Sequence, residues 1–311
     1  METYTVAACQ VNCGPNSQPA GNARKIIACL RQAAAAGARL ALFPELSLSG
    51  YTTDEPDILS RAGATTPAVI ASVCQAAQDL HIAAVVGIYE PAPVNGKFFN
   101  TSLAIAPDGT QTRYRKIHIC PNEPFWPSDG GPVVTDLGFV RLGLSVCYDN
   151  WYPETTRMAF LNGAQMLHVP FYWPAEWERR DDLPRKRVTG DDTAVLTARR
   201  ERMLKVFPGR ALDNSLYLVL VDHAGRSDDL GRHMPGKSMI IDPYGELLAE
   251  SRGWEEETLF FEYDPARVAE WRNNEFFPGN HLRPEIYAQA YASRPIEPAH
   301  RPTPLAARTA G

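Results

Sequence analysis

Apolar and polar positions along this chain switch between strand and helix periods. Val6-Ala-Ala-Cys-Gln-Val11 is a run of strand type, and after it Ala23, Ile26, Ile27, Leu30 and Ala34 recur near helical spacing until Gly37 ends the helix. Arg39–Phe43 reads as a second strand closing at Pro44-Glu45, and Ile70, Val73, Cys74 and Ala77 mark another amphipathic helix. Ile82–Tyr89 is a strand. Ser102–Ala106, the turn Pro107-Asp108-Gly109 and Gln111–Ile117 make a hairpin. Arg141–Cys147 is an apolar run ending at a cysteine, and Pro153 then opens a helix to about Asn162. Gln165–Val169 and Leu216–Val221 are strands, and Ser238–Ile241 with Glu246–Ser251 forms a second hairpin around Asp242-Pro-Tyr-Gly245.

The alternation predicts an α/β protein. A hairpin in each half suggests two sheets of similar plan, which favours a layered sandwich over a single doubly wound sheet. Pro174–Arg200 breaks the pattern: it is charged, poor in apolar periodicity, and reads as an inserted loop or lid at 174–200. Residues 281–311, rich in Pro and Ala, read as a C-terminal arm on a single domain spanning 1–280.

Charge and composition narrow the function. The 311 residues carry a net charge of −5, which points to neither nucleic acid nor a membrane surface as partner. No apolar stretch is long enough to span a bilayer, and the N-terminus lacks the features of a secretory signal. The cysteines at 9, 13, 29, 74, 120 and 147 form no CxxC pair and are expected as reduced thiols in a cytoplasmic protein. There is no HExxH, no Cys/His cluster at zinc spacing and no Walker loop.

Three polar residues close strand-like segments: Glu45, Lys116 and Cys147. In a layered α/β fold such ends converge, so the three can share a pocket. A buried carboxylate can take the thiol proton, an ammonium can stabilise negative charge, and a thiolate is a nucleophile. Each also has a plain reading: a core thiol, a solvated turn acid, a basic edge strand. Ser145, in Gly143-Leu-Ser-Val-Cys147, lacks the closing glycine that a serine-hydrolase elbow needs.

Together with their neighbours, these segments resemble the nitrilase superfamily of carbon–nitrogen hydrolases. The matches, in family order, are Phe43-Pro-Glu45-Leu-Ser-Leu-Ser-Gly50-Tyr51, Tyr114-Arg-Lys116-Ile-His118, Gly143-Leu-Ser-Val-Cys147-Tyr-Asp-Asn-Trp-Tyr-Pro153-Glu154, Gly209-Arg-Ala-Leu-Asp-Asn214 and Gly236-Lys-Ser238-Met-Ile-Ile-Asp242-Pro-Tyr-Gly245. The resemblance implies a four-layer α-β-β-α sandwich, pairing into a homodimer, with no metal and no organic cofactor. It implies Glu45 as proton acceptor, Lys116 and the Tyr148 backbone N–H as oxyanion donors, Cys147 as nucleophile and Glu123 as a fourth polar residue.

The substrate is less legible. Nitrile-cleaving members usually follow the cysteine with Trp-Glu-Asn, whereas here Tyr148-Asp149-Asn150-Trp151 comes next. That favours a small amide or ureido (N-carbamoyl) substrate over a nitrile. A catalytically silent scaffold is the alternative of another class. Asn150, Trp151, Phe171, Tyr172, Trp173, Phe125 and Trp126 are candidate substrate-binding residues, and packing in the core is the other reading of the aromatic clusters. Arg179 and Arg180 sit where N-carbamoyl-D-amino-acid hydrolases hold a carboxylate, but the acids around them favour solvated charge. Arg200-Glu-Arg-Met-Leu-Lys-Val-Phe-Pro208 departs from the His and Trp that many relatives carry there.

Overall fold

The computed structural model describes residues 2–13, 18–175, 193–227 and 232–293. In chain order the elements are β1 (Tyr4–Gln10), α1 (Pro19–Ala35), β2 (Ala38–Leu42), α2 (Glu55–Ala64), α3 (Pro67–Asp79), β3 (Ala83–Pro91), β4 (Phe98–Ile105), β5 (Gln111–Arg115), β6 (Val133–Asp136) and β7 (Arg141–Leu144). They continue with α4 (Pro153–Leu161), β8 (Met166–Pro170), α5 (Thr193–Asn214), β9 (Tyr217–Val221), β10 (Ala224–Ser227), β11 (Arg232–Pro235), β12 (Met239–Ile241), β13 (Leu247–Glu250), β14 (Glu257–Tyr263), α6 (Pro265–Arg272) and α7 (Pro284–Ser293).

Two six-stranded sheets have matching plans, in the orders β14-β1-β2-β3-β4-β5 and β13-β12-β9-β8-β7-β6. Each has three parallel strands at its centre, β1-β2-β3 and β7-β8-β9, and antiparallel strands outside them. The period of two in the first sheet decides what each residue covers. Val6, Ala8, Leu40, Leu42 and Val85 face the core between the sheets, with Leu142, Leu144, Met166 and Tyr217 of the second. Their neighbours Ala7, Cys9, Ala41, Ala84 and Val86 face the other way, under Ile26 and Leu30 of α1 and Val73 and Ala77 of α3. Ala159 of α4 and Met203, Phe207 and Ala211 of α5 join the second sheet's side. The result is the four-layer α-β-β-α sandwich expected from the sequence.

Two expectations change. Residues 193–200 are not loop: they are the start of α5, whose buried positions are Val195, Ala198, Arg199, Met203, Phe207 and Ala211. A buried arginine inside the apolar stripe hides the helical period. Residues 176–192 of the expected lid, with Arg179 and Arg180, lie outside the described residues. The arm begins as helix α7, and residues 294–311 lie outside the described residues as well. Local periodicity did not reveal α2, β6, β14 and α6. In β14, Leu259, Phe261 and Tyr263 are buried and Phe260 is exposed.

One glycine shapes the entry to the site. A Cβ on Gly87 of β3 would lie 2.0 Å from the Leu46 backbone nitrogen, so only glycine lets the turn after β2 close against β3. Leu46 itself stands at φ 50°, and its turn is tied down by Leu48 N–H to Gly87 O (2.9 Å) and Gly87 N–H to Ser47 Oγ (3.1 Å).

Candidate active site

The carboxyl ends of β2, β7 and β8 and the end of β5 open on one place. β2 delivers Glu45, β5 delivers Lys116, β7 delivers Cys147, and β8 delivers Phe171-Tyr172-Trp173. Glu45, Lys116 and Glu123 are 1%, 0% and 5% exposed, so water screens their charges poorly. The Lys116 Nζ donates to Glu45 Oε1 at 3.0 Å and to both Glu123 oxygens at 2.8 Å. Glu45 Oε1 also accepts from Asn100 Nδ2 (2.7 Å), and its Oε2 accepts from the Tyr172 backbone N–H (2.9 Å) and so faces β8. The Cys147 thiol lies beside the Glu45 carboxylate, near enough to feel its charge. Glu123 is held from its other side by Tyr51 Oη (2.9 Å) and the Cys120 N–H (2.9 Å).

The electrostatics favour a neutral thiol next to a ready acceptor. Burial, then the neighbouring Glu45 charge, pushes the Cys147 thiol well above its ordinary value. Burial also raises the Glu45 carboxyl, against the opposing pull of Lys116. Burial alone would lower Lys116, but the carboxylates of Glu123 and Glu45 outweigh it and hold the ammonium charged. A carboxylate raised toward neutrality passes protons in both directions more readily than an ordinary one.

Cys147 sits at φ 46°, a left-handed conformation uncommon for a side chain with Cβ, at the start of a 3-10 turn spanning Cys147–Trp151. The first N–H groups of such a turn have no partner within it, and Tyr148 supplies one of them. Asp149 anchors the elbow. Its carboxylate accepts from Val146 N–H (3.2 Å), Tyr114 Oη (2.8 Å) and His118 N–H (2.8 Å), and it pairs with His118 Nδ1 (2.8 Å). It therefore clamps the cysteine turn to the segment that carries Lys116. Ser145 Oγ lies 2.9 Å from Asn150 Oδ1 and 2.6 Å from His168 O, which share its one proton, so it is a structural hydroxyl.

Two buried histidines, His168 on β8 and His223 in the segment just after β9, hold the Glu45 segment. His168 Nε2 lies 2.9 Å from Phe43 O, and His223 Nε2 lies 2.7 Å from Glu45 O. A carbonyl only accepts, so both Nε2 atoms carry protons. The Cys13 N–H donates to His223 Nδ1 (3.3 Å), which fixes that ring as neutral. Burial pushes His168 down to about 3 and His223 down to about 4. His223 then supports the fold fully above its unfolded value of 6.5, and this support is lost as pH falls toward 4. A His223→Gln variant keeps an amide donor for Glu45 O but cannot take the proton. Relative to that variant, the wild type should lose about 1.4 kcal/mol of stability per pH unit across the window, roughly 3 kcal/mol in all. Urea melts between pH 7 and pH 4 measure it, and equal slopes in the two proteins would refute it.

Beside this polar cluster lies a cavity of about 400 Å³, lined among the described residues by Cys120, Cys147, Tyr148, Trp151, Phe171, Tyr172, Trp173 and Arg202. The aromatic residues expected at 171–173 and Trp151 thus face it. Phe125, Trp126 and Asn150 are not among its lining. Phe125 packs edge-on to Tyr51 in a core cluster with Tyr89 and Tyr172. Trp126 is 37% exposed. Asn150 donates to Cys147 O (3.2 Å) and holds the turn from inside. Sequence reasoning missed Asn100, Asp149, His168, His223 and Arg202. Asp149 lay within a quoted motif and Arg202 within the stretch 200–208 noted as a departure from relatives, but Asn100, His168 and His223 gave no signal, since only the fold brings them to the site.

The profile described as "Carbon-nitrogen hydrolase" matches residues 5–273. The chain is 28% identical over 262 residues to a protein named "Nitrilase" from Pyrococcus abyssi, covering 83% of this chain and 89% of that one. It is 30% identical over 253 residues to the N-carbamoylputrescine amidase of Arabidopsis thaliana, covering 76% and 78%. A solved structure of a variant of the Nesterenkonia sp. amidase shows covalent addition of the acetamide moiety of fluoroacetamide at the active site cysteine. It superposes with a TM-score of 0.71 at 25% identity, covering 92% of this chain and 96% of that one.

Proposed function

The chain belongs to the carbon–nitrogen hydrolase family and is an amidohydrolase, and within that class we propose that it cleaves a small amide or N-carbamoyl compound through a Cys147 thioester. The observation that carries this reading is the buried group of Glu45, Lys116 and Glu123 with the Cys147 thiol against the Glu45 carboxylate. The acetamide adduct at the cysteine of the Nesterenkonia amidase supports the covalent step.

In the proposed sequence Glu45 takes the Cys147 proton as sulfur attacks the carbonyl carbon. The oxyanion sits between the Lys116 ammonium and the Tyr148 N–H. Such donors are worth roughly 3–4 kcal/mol each in acyl transfer. The C–N bond breaks as Glu45 returns the proton to the leaving ammonia or amine. Glu45 then takes a proton from water, hydroxide adds to the thioester, and the thiolate leaves and is reprotonated. Glu123 holds Lys116 in place. Two carboxylates around one ammonium leave the polar cluster net negative, so Glu45 keeps its basicity. The chemistry asks for no metal, and among the described residues no group of His, Cys, Asp and Glu is placed to hold one.

A nitrile is the second reading, favoured by the Pyrococcus relative and opposed by Tyr148-Asp149 after the cysteine. The test offers short amides, N-carbamoyl amines, N-carbamoyl amino acids and nitriles and measures ammonia. Release from amides or ureas but not nitriles is expected; acid and ammonia from nitriles alone would overturn the reading.

The same proposal includes a domain of residues 1–280 bearing a C-terminal arm, working in a reducing cytoplasm that suits six free thiols. It also includes pairing of two copies. Leu161, Leu212, Phe276, Ile286 and Tyr287 stand exposed on α4, α5, α7 and the segment after α6, apolar surface that a second copy would cover. Sedimentation at the mass of one chain would remove the pairing from the proposal.

A further inference from the structure

Asn100 is the one side chain on the Glu45 carboxylate that the amide chemistry above leaves without a task. It lies on β4, between β3 and β5, and is fully buried. Its backbone C=O accepts the Lys116 backbone N–H at 2.9 Å, and its side-chain Nδ2 donates to Glu45 Oε1 at 2.7 Å. One residue thus ties the lysine segment to the glutamate. The amide has only one way round: a carboxylate accepts and does not donate, so the NH₂ group must face Glu45. Its Oδ1 is then buried with no partner among the described residues, at a narrow gap that Asn100 lines with Glu45, Ser102 and His168. A buried carbonyl without a partner is costly, so stability alone does not account for an amide here. What the amide adds is its donor to Glu45.

That donor decides which oxygen of Glu45 stays open. A carboxylate oxygen offers two lone-pair sites. Among the described residues, both sites on Oε1 are filled, by Lys116 Nζ at 3.0 Å and Asn100 Nδ2 at 2.7 Å. Oε2 has one site filled, by the Tyr172 N–H at 2.9 Å. Tyr172 lines the cavity together with Cys147, so the open site belongs to the oxygen tied to the cavity wall.

We infer that Asn100 is a positioning residue for the reaction: its amide fills Oε1 of Glu45, so that Oε2 is the oxygen that takes the Cys147 proton and delivers it to the leaving amine. Asn100 is not among the described residues lining the cavity, and it acts through Glu45. The inference rests on Glu45 as proton acceptor in the amide reading above and deepens it. Without the amide, Oε1 opens as a second proton site, and the carboxylate loses a donor that favours its charged form.

The test replaces Asn100 with Leu, of similar size, and with Ala, which cannot overpack, and follows two rates against pH. One is ammonia release from butanamide. The other needs no substrate: alkylation of Cys147 by iodoacetamide, localised by peptide mass spectrometry, in which the S–C bond forms, iodide leaves and Glu45 takes the thiol proton. Loss of a donor raises the Glu45 carboxyl, so in both variants the acid limb of both rates should move up by about one pH unit. At the optimum kcat should fall by roughly ten- to a hundredfold, with KM changed by less than about threefold. Lys116, Cys147, Cys120, Tyr51 and Tyr89 also lie near enough to Glu45 to feel its charge. They titrate above this limb, since burial holds the thiols and phenols up and the carboxylates hold the ammonium up. The His168 and His223 rings lie below it, pushed down by burial to about 3 and about 4. Glu123 is the same in every protein compared, so a displaced limb belongs to position 100. A limb that stays in place in both variants, whether or not Tm falls, overturns the inference, and so does a loss confined to KM. Should the wild type alkylate at Cys147 yet release no ammonia from any amide, the amide reading fails while the alkylation profiles still decide the role of Asn100.

Discussion

Replacing Cys147 with alanine is expected to reduce ammonia release by a factor on the order of 10⁵ or more, while the protein unfolds at nearly the same temperature. The loss is large because every later step runs through the sulfur: no thioester forms, and the water that would attack it has no acyl enzyme to meet. The fold should tolerate the change. The left-handed backbone at φ 46° is held by Asp149 and Asn150 through bonds to the backbone and to neighbouring segments, none of which uses the thiol. Alanine keeps the Cβ and its backbone cost, so the difference in stability should be within about 1.5 kcal/mol. Serine at the same place should be almost as inactive. A hydroxyl ionises less readily than a thiol, and this site already pushes the thiol upward. Single-turnover assays measure the rate, and intact-mass spectrometry with a slow amide looks for the acyl adduct in the wild type. An alanine variant within tenfold of wild-type activity would sink the nucleophile assignment.

Lys116→Met is expected to damage stability and catalysis together. The side chain is fully buried, and its ammonium is the cation that separates Glu45 from Glu123. Without it, two buried carboxylates face each other, and one must take up a proton or the site must open. Breaking a buried pair by removing one partner costs about 3–5 kcal/mol, which for a chain of this size is roughly 5–10 °C in Tm. Loss of the oxyanion donor should lower kcat by about 10²–10³ beyond that. The double variant with Glu123→Gln separates the two effects. Removing one of the stranded charges should recover part of the Tm and none of the rate. If the single variant melts with the wild type, the ammonium is not the keystone of the polar cluster. If the double variant recovers the rate, Lys116 acts only by holding charge.

The sequence made most of the fold legible wherever a segment is buried on a simple period. The strands β1, β2 and β3 and the helices α1 and α3 were readable because each buries a continuous face. α5 was not, because Arg199 occupies the stripe position between Ala198 and Met203, and a charge there reads as solvent. Only the Asp222 carboxylate, on a loop twenty-three positions later, makes that position a core position. Phe125 and Phe171 show the same limit for the cavity. Both are buried aromatics near polar motifs, yet one packs behind the site and the other faces it.

By itself, the sequence determined the kind of chemistry. Glu45, Lys116 and Cys147 each stand at the end of a strand pattern, which made them candidates, and the resemblance of their surrounding motifs to the nitrilase superfamily gave them their roles. The tertiary structure decided what surrounds them: Asn100 on the Glu45 carboxylate, Asp149 tying the cysteine turn to the lysine segment, His168 and His223 on the backbone of the Glu45 segment, and Arg202 on the cavity wall. These contacts join segments tens to more than a hundred residues apart. They have no local signature, because a hydrogen bond or a cavity wall depends on where two remote backbones come to rest against each other, and packing of the whole sandwich sets that.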